Sequence, residues 1–302
     1  MAKIIEYLKN PWKVFGTLAA RGFFDNMSDA QYLKYMYRAR MNKNLDLENP
    51  KTFNEKLQWL KLNDRNPLYT RMVDKYEAKI YVSEKIGEQY IIPTIGVWET
   101  IEDVDFNLLP KQFVLKCNHN SGLGMYICTD KSQMDVVEIK RQLKKGLEQN
   151  YYKIHREWCY KDVSRKIIAE EFIGTTENDL IDYKFMCFNG KVECSFTCSN
   201  RYSEDGLNVT FFDREWNKLP FERHYSADKK EIEKPKSYDE MIRLAECLAE
   251  GLPFVRVDFY EVDARPLFGE LTFYPGAGFE EFNPQEWDRK LGDFLQLPKL
   301  KH

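Results

Sequence analysis

The sequence predicts an α+β fold of antiparallel sheets and helices, preceded by a helical N-terminal extension. Three observations predict it. Two alternating stretches turn back on themselves, "LIDYKFMCFNGKVECSFTCS" at Asn189-Gly190 and "FVRVDFYEVDARPLFGELTF" around Asp263-Ala264-Arg265-Pro266. Helical segments separate the strands without the regular strand–helix–strand alternation that builds a parallel sheet. Residues 1–50 are aromatic-rich and helical in pattern, and no repeat or low-complexity linker follows them.

Composition narrows the class. In 302 residues, 43% are hydrophobic and 31% charged, the balance of a soluble globular protein with two or three associated domains. With 45 basic and 48 acidic residues the net charge is −3, so no global field calls for nucleic acid. No apolar run approaches the roughly 20 residues of a membrane span, and no secretory leader pattern opens the chain. The seven cysteines show no CxxC or zinc-type spacing and read as reduced thiols in a cytoplasmic protein. The four histidines have no metal-ligand spacing, which argues against histidine-based metal or triad chemistry.

In order along the chain, the extension carries Lys3, Lys9, Lys13 and Arg21 against Glu6 before Asp25. Such a basic amphipathic arm suits the inner face of an anionic membrane, or simply packs its apolar face on the body. "TFNEKLQWLKLND" opens with Thr52 and Glu55 in capping-box spacing. "YTRMVDKYEAKIYVSEKIG" has helical periodicity and ends at Gly87, a C-cap. "YIIPTIGVWET" is a short strand, and "QFVLKCNHNSGLGMYICTD" reads as strand, glycine-containing loop, strand. "SQMDVVEIKRQLKKGLEQN" is a helix and "RKIIAEEFIG" a strand closed by Gly174. "SYDEMIRLAECLAEG" is a helix with Ser237 and Glu240 as a second capping box. The expected divisions are 1–50, 51–108, 109–175 with the glycine loop, and 176–302.

Three places carry candidate chemistry. Folding the last hairpin about Ala264 puts Asp258 opposite Glu270 and Arg256 opposite Thr272. All four face away from Val255, Val257 and Phe259. Like charges across a strand pair destabilise it, so a Mg²⁺ ion between the acids would relieve the conflict; the plainer reading is that both face water. Second, Lys116 ends an apolar strand, and Ser121, Gly122 and Gly124 follow in a loop whose amides could cradle an anion. Third, "IIAEEFIG" delivers Glu170 and Glu171 to a strand end whose backbone edge could read a flat base.

The order of these features resembles the ATP-grasp superfamily from about Thr52 to Gly278. The strings "TFNEKLQWLKLNDRNPLYTRMVDKY", "DYKFMCFNGKV" and "FFDREW" are more narrowly similar to its TupA-like group, associated with bacterial capsule and other surface-polysaccharide synthesis. The resemblance implies ATP held between two α/β subdomains. By it, Lys75 (on a helix) and Lys116 contact ATP phosphates, with Lys79 as a substitute on the same face. Ser121 to Gly124 close over the phosphates, the backbone of Glu170, Glu171 and Ile173 holds adenine, and Asp182 holds the ribose. Lys184 and Arg201 contact phosphate or acyl phosphate, and Asp258, Glu270 and Thr272 hold Mg²⁺. The family pattern has asparagine where this chain has Thr272.

The implied chemistry is ADP-forming ligation. A carboxylate, on a uronic acid or amino acid in a small molecule or polysaccharide, takes the γ-phosphoryl group. The acyl phosphate is captured by an amine to give an amide, with Arg256 holding the acyl phosphate or orienting the carboxylate. Two other readings stand beside it. A glycosyltransferase would use the Asp103-Val104-Asp105 triplet, which otherwise caps a helix. A non-catalytic nucleotide-binding shell would be consistent with Thr272.

Overall fold

A computed structural model describes residues 12–174, 180–200 and 206–299. Helices α1 (Trp12–Ala19) and α2 (Asp29–Met41) form the extension. Tyr32, Leu33, Met36 and Tyr37 bury their apolar face against Ala277 and Phe279 of the body, so α2 is a wall of the molecule rather than a detached arm. Residues 1–11 of the arm lie outside the described residues. Among the described residues no helix is long and apolar enough to cross a membrane.

Helix α3 (Phe53–Asn63) begins at the predicted capping box, in which Thr52 Oγ1 accepts from the Glu55 amide and Glu55 accepts from the Thr52 amide. The periodic segment after it is not one helix. It breaks into α4 (Leu68–Val73) and α5 (Glu77–Ile86), because Asp74 Oδ1 takes the amides of Tyr76 and Glu77 at 2.8 and 3.3 Å. A short acid competing for local amides ends one helix and starts the next. Lys75 therefore sits in the break, not on a helix, and does not share a helical face with Lys79. Gly87 caps α5 as expected, its amide bonding the Ser83 carbonyl.

A four-stranded antiparallel sheet follows, in the order β1–β4–β2–β3: β1 (Thr94–Trp98), β2 (Phe113–Cys117), β3 (Met125–Cys128) and β4 (Ile167–Glu171). Helices α6 (Val136–Glu148) and α7 (Tyr151–His155) lie in the β3–β4 connection. The strand that carries Glu170 is thus internal to this sheet, paired on both sides, and not an edge. The larger sheet is also antiparallel, ordered β10–β9–β5–β6–β7. It contains β5 (Asp182–Phe188), β6 (Lys191–Ser199), β7 (Asn208–Phe212), β9 (Phe254–Val262) and β10 (Arg265–Thr272). A two-stranded ribbon pairs β8 (Glu222–Arg223) with β11 (Phe282–Asn283). Helix α8 (Tyr238–Leu248) packs on the larger sheet, and α9 (Glu286–Phe294) packs on α3.

The second predicted capping box does not form. Ser237 donates its hydroxyl and amide to Glu261 instead, and Glu240 accepts from the Tyr90 hydroxyl. The half-buried Glu261 carboxylate on a neighbouring strand is a charged acceptor that draws both Ser237 donors toward it. The β5–β6 hairpin turns at Asn189-Gly190, both with positive φ, as its sequence demands.

The β9–β10 hairpin keeps its predicted pairing for a reason absent from the prediction. Its loop is only Asp263-Ala264, both left-handed at φ 50° and 59°, so Arg265 pairs with Val262 and Phe268 with Phe259. The register then slips by one residue at Gly269, after which Glu270 pairs with Asp258 and Thr272 with Arg256. Without that bulge Asp258 would face Gly269, and Glu270 would turn to the opposite side of the sheet.

Candidate active site

Two cavities meet at this hairpin. The larger, about 700 Å³, lies between the sheets, with Val114, Lys116, Met125 and Ile127 from one and Asp182, Tyr260 and Gly269 from the other. Glu170, Glu171 and Ile173 line it as well. The smaller, about 340 Å³, is lined by Asn120, Ser121, Glu157, Arg256, Glu270 and Thr272 among others. Gly269 faces one cavity and Glu270 the other.

A row of alternating charges runs across β5, β9 and β10. Lys184 contacts Asp258 and lies 3.5 Å from Asp182. The Arg256 guanidinium donates to both Asp258 oxygens and to Glu270 Oε1, each at 2.7 Å. What occupies the gap between the two acids is therefore Arg256, two residues along the same strand and on the same face. Burial opposes ionisation of Glu270, but Arg256, Lys184, Lys75 and Lys116 outweigh it and bring its pKa down to about 2. Burial pushes the Asp258 carboxyl up, against the pull of Arg256 and Lys184.

These contacts decide which acid fits a metal ion. Both Asp258 oxygens already accept from cations, and its side chain is 3% exposed. Glu270 is 41% exposed; its Oε1 accepts from Arg256 and from the Thr272 hydroxyl, while no bond reaches Oε2 among the described residues. Glu270 and Thr272 fit a hard cation that brings other oxygen ligands with it. Among the described residues no group of three or more His, Cys, Asp or Glu side chains could hold a metal unaided.

The lysines converge on the larger cavity. Glu170 extends its side chain, rather than only its backbone, toward them: Lys79 and Lys116 each approach a different carboxylate oxygen at 2.5 Å. Lys79 also donates to the Ile92 carbonyl at 2.6 Å and is buried, which fixes it as a structural partner. Lys116 lines the cavity. Lys75 donates to the Asn120 carbonyl in the glycine loop, and burial lowers its pKa with Glu270 pulling it back. Glu171 spends its amide on the Pro93 carbonyl. Arg201 lies outside the described residues.

The loop between β2 and β3 is anchored at its start and open at its tip. Asn118 exchanges bonds with Ser164 and Lys166, His119 bonds the Gln149 carbonyl, and Asn120 donates to the Gly146 carbonyl. The two glycines do different work. A Cβ on Gly124 would lie 2.7 Å from Cys117 Sγ and 2.9 Å from the Gly146 Cα, whereas a Cβ on Gly122 would meet nothing. Gly124 lets the loop pack on α6, and Gly122, at φ 79°, leaves exposed backbone.

Sequence reasoning missed what supports the Gly276–Glu280 side of the smaller cavity. Asn54, Gln58 and Lys61 form a polar stripe on α3 at helical spacing, and it clamps the Pro275–Gly278 loop. Asn54 bonds the Glu280 carbonyl, and Gln58 the carbonyls of Ala277 and Gly278. Lys61, fully buried, donates to Gln58 Oε1, His155 O and Ala277 O at 2.8–3.0 Å. That stripe was readable as period-3.6 polarity beside Leu57 and Leu60. Glu157, His155, Tyr151 and Tyr160 carried no comparable signal. Asp103 and Asp105 cap turns rather than a helix, accepting from Thr100 and Asn107, and line neither cavity.

Two antiparallel sheets enclose a cavity with Lys116, Glu170 and Glu171 on one wall and Asp182 on the other, the architecture of an ATP-grasp fold. The TupA-like ATP-grasp family matches residues 55–296, and the chain belongs to it. Similar solved structures include the D-alanine–D-alanine ligase of Helicobacter pylori, at 14% identity and TM-score 0.45 over 83% of this chain and 70% of that one. Another is the D-alanine–D-alanine ligase of Bacillus anthracis complexed with ATP, at 17% identity and TM-score 0.42 over 74% of this chain. The chain covers 63% of the length of that ligase. D-alanyl-alanine synthetase A of Vibrio cholerae is similar at 11% identity and TM-score 0.44, over 80% of this chain and 65% of that one. No curated protein matches the chain.

Proposed function

We propose that the protein is an ATP-dependent carboxylate–amine ligase, joining a uronic acid or amino acid to an amine during synthesis of a surface polysaccharide. The polymer context rests on family membership alone. The observation that carries the reaction is the row Lys184–Asp258–Arg256–Glu270 placed where the two cavities meet. It sets fixed charge at the one place where groups from both cavities would come together, the arrangement that stabilises phosphoryl transfer.

In this reading the larger cavity takes ATP. Its apolar walls face the base, Asp182 the ribose, and Lys116, Lys75 and the Gly122 backbone the phosphates. Glu270, with the Thr272 hydroxyl beside it, would hold Mg²⁺, which when bound offsets phosphate charge. Asp258 keeps Arg256 and Lys184 ionised and aimed. Arg256 borders the smaller cavity and orients the substrate carboxylate or its phosphorylated form. No side-chain nucleophile is required.

The test incubates the protein with Mg-ATP, uronic acids and amines, and follows ADP. A ligase releases ADP only when both substrates are present. Glu270→Gln is expected to abolish ADP release with an unchanged circular dichroism spectrum. No ADP release under any substrate combination, together with glycosyl transfer from a nucleotide-sugar that survives Glu270→Gln and is lost in Asp103→Asn, would transfer the assignment to a glycosyltransferase.

A further inference from the structure

The smaller cavity contains a carboxylate that nothing in the fold explains. Glu157 is 4% exposed and lines the cavity, yet among the described residues no hydrogen bond or ion pair reaches its side chain. The nearest cations are spent elsewhere: Lys61 on Gln58, His155 O and Ala277 O, and Arg256 on Asp258 and Glu270. Buried charges are normally paired, because desolvation without a partner costs several kcal/mol. The other groups around it offer no compensation. Burial holds the His155 imidazole neutral, its pKa down at about 3, and raises the Tyr151 and Tyr160 hydroxyls so that they stay protonated. At the rim stands Arg40 of α2, exposed and lining the same cavity.

A cavity with one open buried carboxylate inside and one guanidinium at its mouth is complementary to a small molecule carrying an ammonium and a carboxylate. We propose that this cavity binds the amine substrate as a free amino acid, its ammonium on Glu157 and its carboxylate against Arg40. The inference rests on the ligase reading and names the second substrate of that reaction. Glu157 is then a catalytic residue. The ammonium passes one proton to the Glu157 carboxylate, and the freed nitrogen lone pair forms the C–N bond to the acyl carbon. The C–O bond to phosphate breaks with its electron pair on the leaving phosphate, which takes the second nitrogen proton. Glu157 returns its proton to solvent. Burial brings its carboxyl pKa up to about 7, a range suited to proton exchange near neutrality.

The experiment uses the full chain with Mg²⁺ and a non-hydrolysable ATP analogue, and an equimolar pool of L- and D-amino acids observed by saturation-transfer NMR. Wild type is expected to select one or a few of them. Glu157→Gln should weaken the selected amino acid at least about 10-fold, with nucleotide binding unchanged. Arg40→Gln, at an exposed position where substitution costs little stability, should weaken it similarly while leaving the corresponding decarboxylated amine unaffected. Failure of wild type to select any amino acid overturns the proposal, as does equal binding by Glu157→Gln. The ligase reading is judged separately by ADP release: an amino acid that binds through Glu157 without supporting turnover sinks that reading and leaves the binding site standing.

Discussion

Glu157→Gln has a second consequence, for stability, and the structure sets both its sign and its size. The Glu157 carboxyl has an ordinary value of 4.5 and titrates at about 7 in the fold, because burial outweighs the attraction of Lys61 and Arg256. A carboxyl raised on folding favours the protonated native state. Its contribution is fully present below pH 4.5 and is lost as pH rises through 7. At about 1.4 kcal/mol for each tenfold change in proton affinity, the loss amounts to about 3 kcal/mol by pH 7.5. Glutamine is nearly isosteric with the protonated acid and forfeits no bond, since none reaches Glu157. The variant should therefore exceed wild type by only about 1 kcal/mol at pH 5 and by about 3 kcal/mol at pH 7.5. The groups facing this carboxyl are Lys61 on α3, Arg256 on β9, Tyr151 on α7, and Cys159, Tyr160 and Tyr274. Of these only Lys61, brought down by burial to about 8, titrates near the window, and stopping at pH 7.5 keeps it mostly charged. His119 and His155, held neutral by burial, destabilise the acid side equally in both proteins and cancel in the difference. Urea unfolding at the two pH values measures it. An offset that stays constant from pH 5 to 7.5, or a variant less stable at pH 7.5, refutes the account of an unpaired buried carboxylate.

Three further substitutions test how the cavity walls are held. Lys61→Met removes the three-way donor that ties α3 to His155 and Ala277; leaving those buried acceptors bare should cost about 3 kcal/mol or more in chemical denaturation. A methyl on Gly124 collides with Cys117 and the Gly146 backbone, whereas one on Gly122 points into open space. Both have positive φ, so Gly122→Ala should cost about 1 kcal/mol from backbone strain alone, and Gly124→Ala about 3 kcal/mol once overpacking is added; equal thermal shifts would contradict the division of labour between the two glycines.

How much of this was written in the sequence depends on whether the cause was local. The Thr52 box, the Asn189-Gly190 turn and the order of strands are decided within a few residues, and they formed as read. The α4–α5 break was also local, but Asp74 was read as one more helical position when its short carboxylate was competing for amides. The Ser237 box failed because its deciding partner, Glu261, is 24 residues away. At the site, the pairing of Asp258 with Glu270 was predicted, yet its occupant was not. The hairpin pattern exposed two acids on one face, and Arg256 was named there too, but which of a cation or an arginine separates them depends on burial that no pattern displays. Glu157 marks the far end of this scale. Nothing near it in the chain distinguishes it from a surface glutamate. Its significance arises only when α3, the β9 strand and the loop at Tyr274 close around it and commit every nearby donor elsewhere. An unpaired charge is the absence of a contact, and such an absence becomes visible only after the fold has brought every neighbour into place.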